Sequence, residues 1–336
     1  MCGSGSYSIV YKCFNQDNGE ILAIKAFNIG RDNSGEEEEG FYKRLNYIDY
    51  FSEYFLPFKD QFIYHGHFCI VSECYGISLY QALQIRQFKL FPIDAIKFII
   101  LKIAKALSLM HLNGMIHTDV KLENILLPPG FDCIHGFNQI DCPISEPSSP
   151  LLSSSNITVS FSQINSSQYS QTLVPLDVRL IDFSSIVSIY NKNTHLATTR
   201  AYRAPEIMMG IQWDEKCDSW SLGCLLLELL VGSICFDAED DLSHLFLIQH
   251  IIGPFPDWMI NATTKKGIHD AFFCGLISPS FLPDGQKDCY LKKPALREIL
   301  NFDSSLLELT LKLLDPDPKT RLSVSDAIDH PALEAF

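Results

Sequence analysis

The stretch His117-Thr118-Asp119-Val120-Lys121-Leu122-Glu123-Asn124, with Ile181-Asp182-Phe183-Ser184 further on, combines side chains suited to one kind of chemistry. Asp119 offers a candidate base, and Lys121, two positions on, offers a cation for phosphate oxygens. Asn124 and Asp182 add hard oxygen ligands of the kind that hold Mg2+. Together these four side chains are the minimum set for moving a phosphoryl group from ATP to a hydroxyl, with Asp119 accepting or orienting the hydroxyl proton. A polar capped loop between two strands is the plainer reading of the same residues. A P-loop nucleotide site is excluded, because no G-x-x-x-x-G-K-[ST] match occurs in the chain.

Such loops need regular elements to hold them. Residues 8–14 and 21–27 are apolar, β-branched runs joined by Asn15-Gln16-Asp17-Asn18-Gly19-Glu20, and the Asn-Gly pair tolerates positive φ, so a β-hairpin is predicted. A helix follows over 36–45, then a second hairpin of 61–64 and 68–72 around His65-Gly66-His67. From Pro92 the period changes: Ile93, Ile96, Ile100, Ile103, Ala104 and Leu107 fall on one face of a long helix. Further helices are predicted over 217–230, 242–252, 304–314 and 324–329. The expected fold class is α+β, with a small β-rich lobe over 1–75, a larger helical lobe over 76–336 and a cleft between them.

At 47% hydrophobic and 12% aromatic residues, the 336-residue chain has ample core material, which excludes global disorder. Its net charge of −14 favours basic partners and disfavours direct binding to nucleic acid. The 11 cysteines are odd in number and form no C-x-x-C pair, which argues against a disulfide framework or zinc module and for a reducing, intracellular setting, nucleus or cytoplasm. Met1-Cys2-Gly3-Ser4-Gly5 opens no secretory signal, and the apolar run 222–236 contains Glu228 and is too short to span a bilayer, so no membrane partner is expected; a monomer is expected as well. Prolines 143, 147 and 150 and the triplet Ser153-Ser154-Ser155 mark a serine-rich insertion at about 130–175, expected to be a mobile surface segment.

Gly3-x-Gly5-x-x-Ser8-x-Val10, with Ala23-Ile24-Lys25 on the next strand, resembles the protein-kinase glycine loop and its strand lysine. A tight hairpin turn would use the same residues, but a lysine on an apolar strand is otherwise costly to bury. The resemblance implies that Lys25 holds the ATP phosphates and pairs with a glutamate in Glu36-Glu37-Glu38-Glu39. Counting back from inward-facing Tyr42 and Leu45 selects Glu38, with Glu39 the rival. Ala204-Pro205-Glu206, Asp218-x-Trp220-x-x-Gly223 and Arg321 then follow in kinase order, implying a Glu206–Arg321 ion pair and an Asp218 brace under the catalytic loop.

His117-Thr118-Asp119, together with the run from Thr198 through Thr199 and Arg200 to Glu206, narrows the resemblance to the LAMMER (CDC-like) kinases of the CMGC group. That family implies ATP and Mg2+ as cofactors and serine or threonine phosphorylation, often of arginine–serine-rich proteins, with some members also phosphorylating their own tyrosines. Thr199 is expected to be a hydrogen-bond partner of Asp119 and Lys121. Aligned with the family hinge, Ser72 guards the back of the adenine pocket, where a phenylalanine is usual, and the Glu73 carbonyl and Tyr75 amide would bind adenine.

The departures are specific. The hexapeptide that names the family should fall at Leu245-Phe246-Leu247-Ile248-Gln249-His250, where only the first leucine matches. Thr118 replaces an arginine that would pair with a loop phosphate, so activity without loop phosphorylation is expected. Ser184 replaces a hinge glycine and Ser8 a loop glycine, and only Met1 and Cys2 precede the loop where a full strand is expected. Ser184, Ser8 and the missing strand favour a competing reading, a pseudokinase that keeps the fold as a binding scaffold, and the retention of Lys25, Asp119, Asn124 and Asp182 argues against it.

Overall fold

The structure is a computed structural model that describes residues 3–4, 8–30, 34–48, 50–133, 176–190, 198–300 and 303–334. The serine-rich insertion expected at about 130–175 lies almost wholly outside the described residues.

The first part of the chain is a five-stranded antiparallel sheet of β1 (Gly3–Ser4), β2 (Ser8–Phe14), β3 (Ile21–Phe27), β4 (Phe58–Tyr64) and β5 (His67–Glu73), in the order β1-β2-β3-β5-β4. The hairpin of β2 and β3 closes where Gly19 takes φ +77° and donates its N–H to the Asn15 carbonyl at 2.9 Å. Register decides function here. Val10 pairs with Lys25 and Ala23 with Ser72, so Ser8, Val10, Ala23, Lys25 and Ser72 share one face of the sheet. The other face bears Ile9, Tyr11, Cys13, Ile24 and Cys69, which with Phe62 line an apolar groove. Strand β4 starts three residues before the predicted span because it is a mostly exposed edge with a bulge between Phe58 and Asp60, which blurs its alternation.

Helix α1 (Ser34–Leu45) packs Phe41, Tyr42 and Leu45 inward. The four-residue α2 (Phe51–Tyr54) is too short to show a period and was not predicted, and α3 (Leu79–Ile85) starts on a capping box between Ser78 and Gln81. Helix α4 (Ile93–Leu112) buries Ile96, Ile100, Ile103, Ala104 and Leu107 as the spacing predicts, whereas Ile93, its first residue, is exposed. Four two-residue strands, β6 (Met115–Ile116), β7 (Ile125–Leu126), β8 (Arg179–Leu180) and β9 (Val187–Ser188), form two ladders, β6 with β9 and β7 with β8.

Helices α5 (Pro205–Met209), α6 (Lys216–Val231) and α7 (Asp241–Ile251) follow. In α6 every residue from 217 to 230 is buried, so the helix is the axis of the helical core rather than an amphipathic surface helix. Helices α12 (Ser304–Leu313) and α13 (Val324–Ile328) pack beside it, after the shorter α8 (Asp257–Ala262), α9 (Lys266–His269), α10 (Asp284–Leu291) and α11 (Leu296–Ile299). The nine described cysteines are free thiols, and no described helix is long and apolar enough to cross a membrane.

Candidate active site

The loop 117–124 runs between β6 and β7, and the two ladders fix it next to the segment that carries Asp182. Its underside rests on Asp218, a fully buried residue near the start of α6. The Asp218 carboxylate accepts the backbone N–H groups of His117 and Thr118, each at 2.8 Å, and lies 2.8 Å from His111 Nε2. Burial would raise this carboxyl, but His111, His117 and the backbone donor hold it below its ordinary value. The brace has work to do, because Thr118 adopts φ +68°, a left-handed conformation that a β-branched residue enters at a cost. The Thr118 hydroxyl also donates to the Ser185 carbonyl at 2.8 Å, tying this loop to the turn after Asp182.

Above the brace, Asp119 is held from three sides. Lys121 Nζ donates to Asp119 Oδ2 at 2.6 Å and to Thr199 Oγ1 at 2.9 Å. Thr199 donates its hydroxyl to Asp119 Oδ1 at 2.6 Å and its N–H to the same oxygen at 3.1 Å. Asn124 Nδ2 donates to the Asp119 carbonyl at 2.8 Å and to Oδ2 at 3.2 Å. A carboxylate so surrounded by donors is fixed in orientation, as a base toward an incoming hydroxyl requires.

Lys25 joins the sheet to this loop. Its ammonium sits 2.5 Å from Glu38 Oε2 and 2.6 Å from Asp182 Oδ1. Of the four consecutive glutamates, Glu38 therefore meets Lys25, while Glu39 pairs with Lys43 one turn along the helix. Burial, reinforced by the Asp182 carboxylate and opposed by Lys25, pushes the Glu38 carboxyl up to about 7. Burial would also raise Asp182, but Lys25, the Ser184 hydroxyl and His117 hold it well below the carboxylate range.

The donor set fits a magnesium ion. Asp182 Oδ1 is taken by Lys25 and by the Ser184 hydroxyl at 2.8 Å, which leaves its second oxygen for a ligand. Asn124 uses its amide nitrogen on Asp119, and its amide oxygen accepts no hydrogen bond among the described residues. Two such hard oxygens, with phosphate and water completing an octahedron, are what Mg2+ takes in nucleotide sites. When bound, the ion would neutralise phosphate charge.

Several functional contacts lay beyond sequence reasoning. Phe183, next to Asp182, stacks on Phe41 of α1 with ring centroids 3.8 Å apart and meets Tyr42 and Phe55 edge-on at 5.6 Å each. Aromatic positions in α1 signalled a core face, but no pattern named their partner. The Glu206–Arg321 ion pair, by contrast, is the one the resemblance implied: Arg321, fully buried, donates to both Glu206 oxygens at 2.6 and 2.9 Å and to the carbonyls of Asp315, Lys216 and Pro316, so all five of its N–H groups are used. Gly3 pairs with Val10 at the sheet edge, Gly5 lies outside the described residues, Glu73 closes β5 opposite Leu22, and the Tyr75 ring lies under the Arg179 guanidinium.

The family described as protein kinase domain matches residues 1–137 and 152–333. The chain belongs to the protein kinase family. Its kinase relatives include the probable serine/threonine-protein kinase clkA of Dictyostelium discoideum, 29% identical over 98% of this chain and 35% of the relative. The serine/threonine-protein kinase AFC1 of Arabidopsis thaliana is 28% identical over 98% of this chain and 68% of its own length, and the dual specificity protein kinase CLK1 of Homo sapiens is 29% identical over 98% and 64%. The chain thus spans from about a third to about two thirds of these relatives. They are of the LAMMER (CDC-like) type to which His117-Thr118-Asp119 pointed. A crystallised kinase domain, 26% identical, superposes with a TM-score of 0.80 over 98% of this chain and 93% of its own. The missing hexapeptide has a physical counterpart: Leu245, Phe246, Leu247 and Ile248 are buried in α7 as ordinary kinase core.

Proposed function

We propose that this protein kinase transfers the γ-phosphoryl group of ATP to serine and threonine hydroxyls of proteins. The observation that carries the reading is the Asp119 carboxylate, oriented by Lys121, Thr199 and Asn124, on a loop whose Asn124 carbonyl accepts from Ile181, the residue before Asp182 of the Lys25–Glu38–Asp182 network. In this reading Asp119 receives the hydroxyl proton and Lys121 neutralises the phosphate being transferred. Lys25 binds the α- and β-phosphates, and Asn124 and Asp182 hold Mg2+. Gly3, Gly5, Ser8, Val10 and Ala23 cover the nucleotide, with Ser72, Glu73 and Tyr75 at the adenine edge. The net charge of −14 and the exposed Glu123, beside Asn124, favour basic, arginine- and serine-rich substrates in an intracellular setting, met by a monomer. The test is transfer from ATP to an arginine–serine peptide by wild type and by Asp119→Asn. Equal signals would remove the enzyme and leave the scaffold reading.

Two further expectations belong to this site. Ser72 pairs with Ala23 on the proposed nucleotide face of β5, and a side chain so much smaller than phenylalanine would leave room there. Purine inhibitors with a bulky substituent should bind wild type about tenfold more tightly than Ser72→Phe, a difference of the size a filled apolar pocket gives. Equal affinities in a competition assay would show that no such space is open. Thr118 supplies a hydroxyl to Ser185 rather than a cation for a phosphate, so phosphatase treatment should leave peptide phosphorylation unchanged. Loss of activity after treatment would show that a phosphate is needed.

A further inference from the structure

The first residue of α7, Asp241, lies at the meeting point of three cations. Its Oδ1 is 2.5 Å from Arg200 Nη1 and 3.5 Å from Arg203 Nη1, and its Oδ2 is 2.8 Å from Lys265 Nζ. Both arginines belong to the segment that leads from Thr198 into α5, and Arg200 directly follows Thr199, whose hydroxyl and N–H both reach Asp119. Arg203 folds the segment back on itself, donating to the Thr198 hydroxyl and carbonyl at 2.7 Å each. One carboxylate on α7 therefore anchors the chain one residue away from the catalytic aspartate's partner.

Placing an acidic residue in the first turn of a helix is ordinary dipole chemistry, and that alone would explain an aspartate here. It would not explain why two arginines and a lysine converge on it. The neighbouring Asp240 does the helix-capping work, accepting from the N–H and the hydroxyl of Ser243. His244, one turn along, adds no competing charge: burial, assisted by Arg200 and Arg203, holds its imidazole down at about 3.

We propose that the Asp241 carboxylate is a built-in counterion for the Arg200–Arg203 pair, doing from α7 what a loop phosphate does in switchable proteins, and that it positions Thr199 against Asp119. Phosphate switches order loops by pairing with arginines. Here the negative charge is encoded in the chain. The inference rests on the kinase reading above and deepens it, naming the device that keeps the substrate side of the site in place. Asp241 is a positioning residue, since it touches neither Asp119 nor the nucleotide site.

The test is chemical rescue. In Asp241→Ala the three cations lose their common partner, and kcat for an arginine–serine peptide should fall about ten- to a hundredfold, the worth of a charge-assisted hydrogen bond, with KM for ATP unchanged. Inorganic phosphate, compared with chloride at equal ionic strength, should restore much of the loss, and Asp241→Glu should retain most of the wild-type rate. Phosphate should also raise the melting temperature of Asp241→Ala but not that of wild type, a readout that needs no catalysis. An unimpaired Asp241→Ala would overturn the proposal, as would a loss that neither phosphate nor glutamate repairs. If wild type itself transfers nothing to any peptide, the kinase reading falls while the melting experiment still decides the anion site.

Discussion

Asp119→Asn is expected to lower kcat for peptide phosphorylation by about 10²- to 10⁴-fold, the range that a positioned base contributes. The substitution is nearly isosteric. Its amide oxygen can still accept from Thr199 or Lys121, so the loop should keep its shape. What disappears is the anionic oxygen that can take a proton from the incoming hydroxyl, together with the charge that pairs with Lys121 at 2.6 Å. ATP should bind as before, because Lys25, Glu38 and Asp182 form a separate network that does not include Asp119. Steady-state kinetics with an arginine–serine peptide, and calorimetry of ATP binding to both proteins, separate the two expectations. A large loss of ATP affinity would mean that Asp119 supports the nucleotide site rather than the transfer step.

Arg321→Ala is expected to destabilise the fold by about 3–5 kcal/mol, because it strands the Glu206 carboxylate in a dry interior. Both partners are fully buried, and Arg321 also satisfies three backbone carbonyls and lies over the Trp220 ring. In a domain of this size that loss should lower the melting temperature on the order of ten degrees. The double variant Glu206→Gln with Arg321→Met should be less destabilised than Arg321→Ala alone, since it leaves no unpaired charge behind. A double variant as unstable as the single would place the cost in the lost backbone contacts. Thermal denaturation of the three proteins, followed by circular dichroism, gives the answer.

How much of this was legible beforehand follows from the range of each signal. The hairpin of β2 and β3, the long α4 and the central α6 all rest on patterns within ten or twenty residues; the spans of β2, β3 and α6 agree with the structure to within a residue, and α4 runs five residues past Leu107, the last position its pattern named. The loop 117–124 was equally plain, because its charged residues lie within a few positions of one another. Glu38 could be singled out from its neighbours because helical spacing puts it on the side of Tyr42 and Leu45. Contacts between distant segments were legible only where the family resemblance named them, as for Glu206 with Arg321 and Asp218 under the catalytic loop; Phe183 and Phe41 are each just another apolar position in their own stretch, and Asp241 reads as a favourable helix start. Thr118 stands between the two cases. Its absent cation was visible in the sequence, whereas its bond to the Ser185 carbonyl exists only once the two loops are side by side.

The stack of Phe183 on Phe41 carries a consequence for how the molecule comes apart. Local opening in proteins occurs in cooperative units, and a unit is defined by the apolar contacts that must break together. Phe183, Phe41, Tyr42, Phe51 and Phe55 form one such aromatic knot, joining α1 to the turn that bears Asp182. Backbone amides in α1 and around Phe183 should therefore exchange with solvent at a common rate, although well over a hundred residues separate them in the chain. The turn that bears Asp182 and the helix that presents Glu38 to Lys25 should form or dissolve as one event, and that event can precede melting of the α6 core.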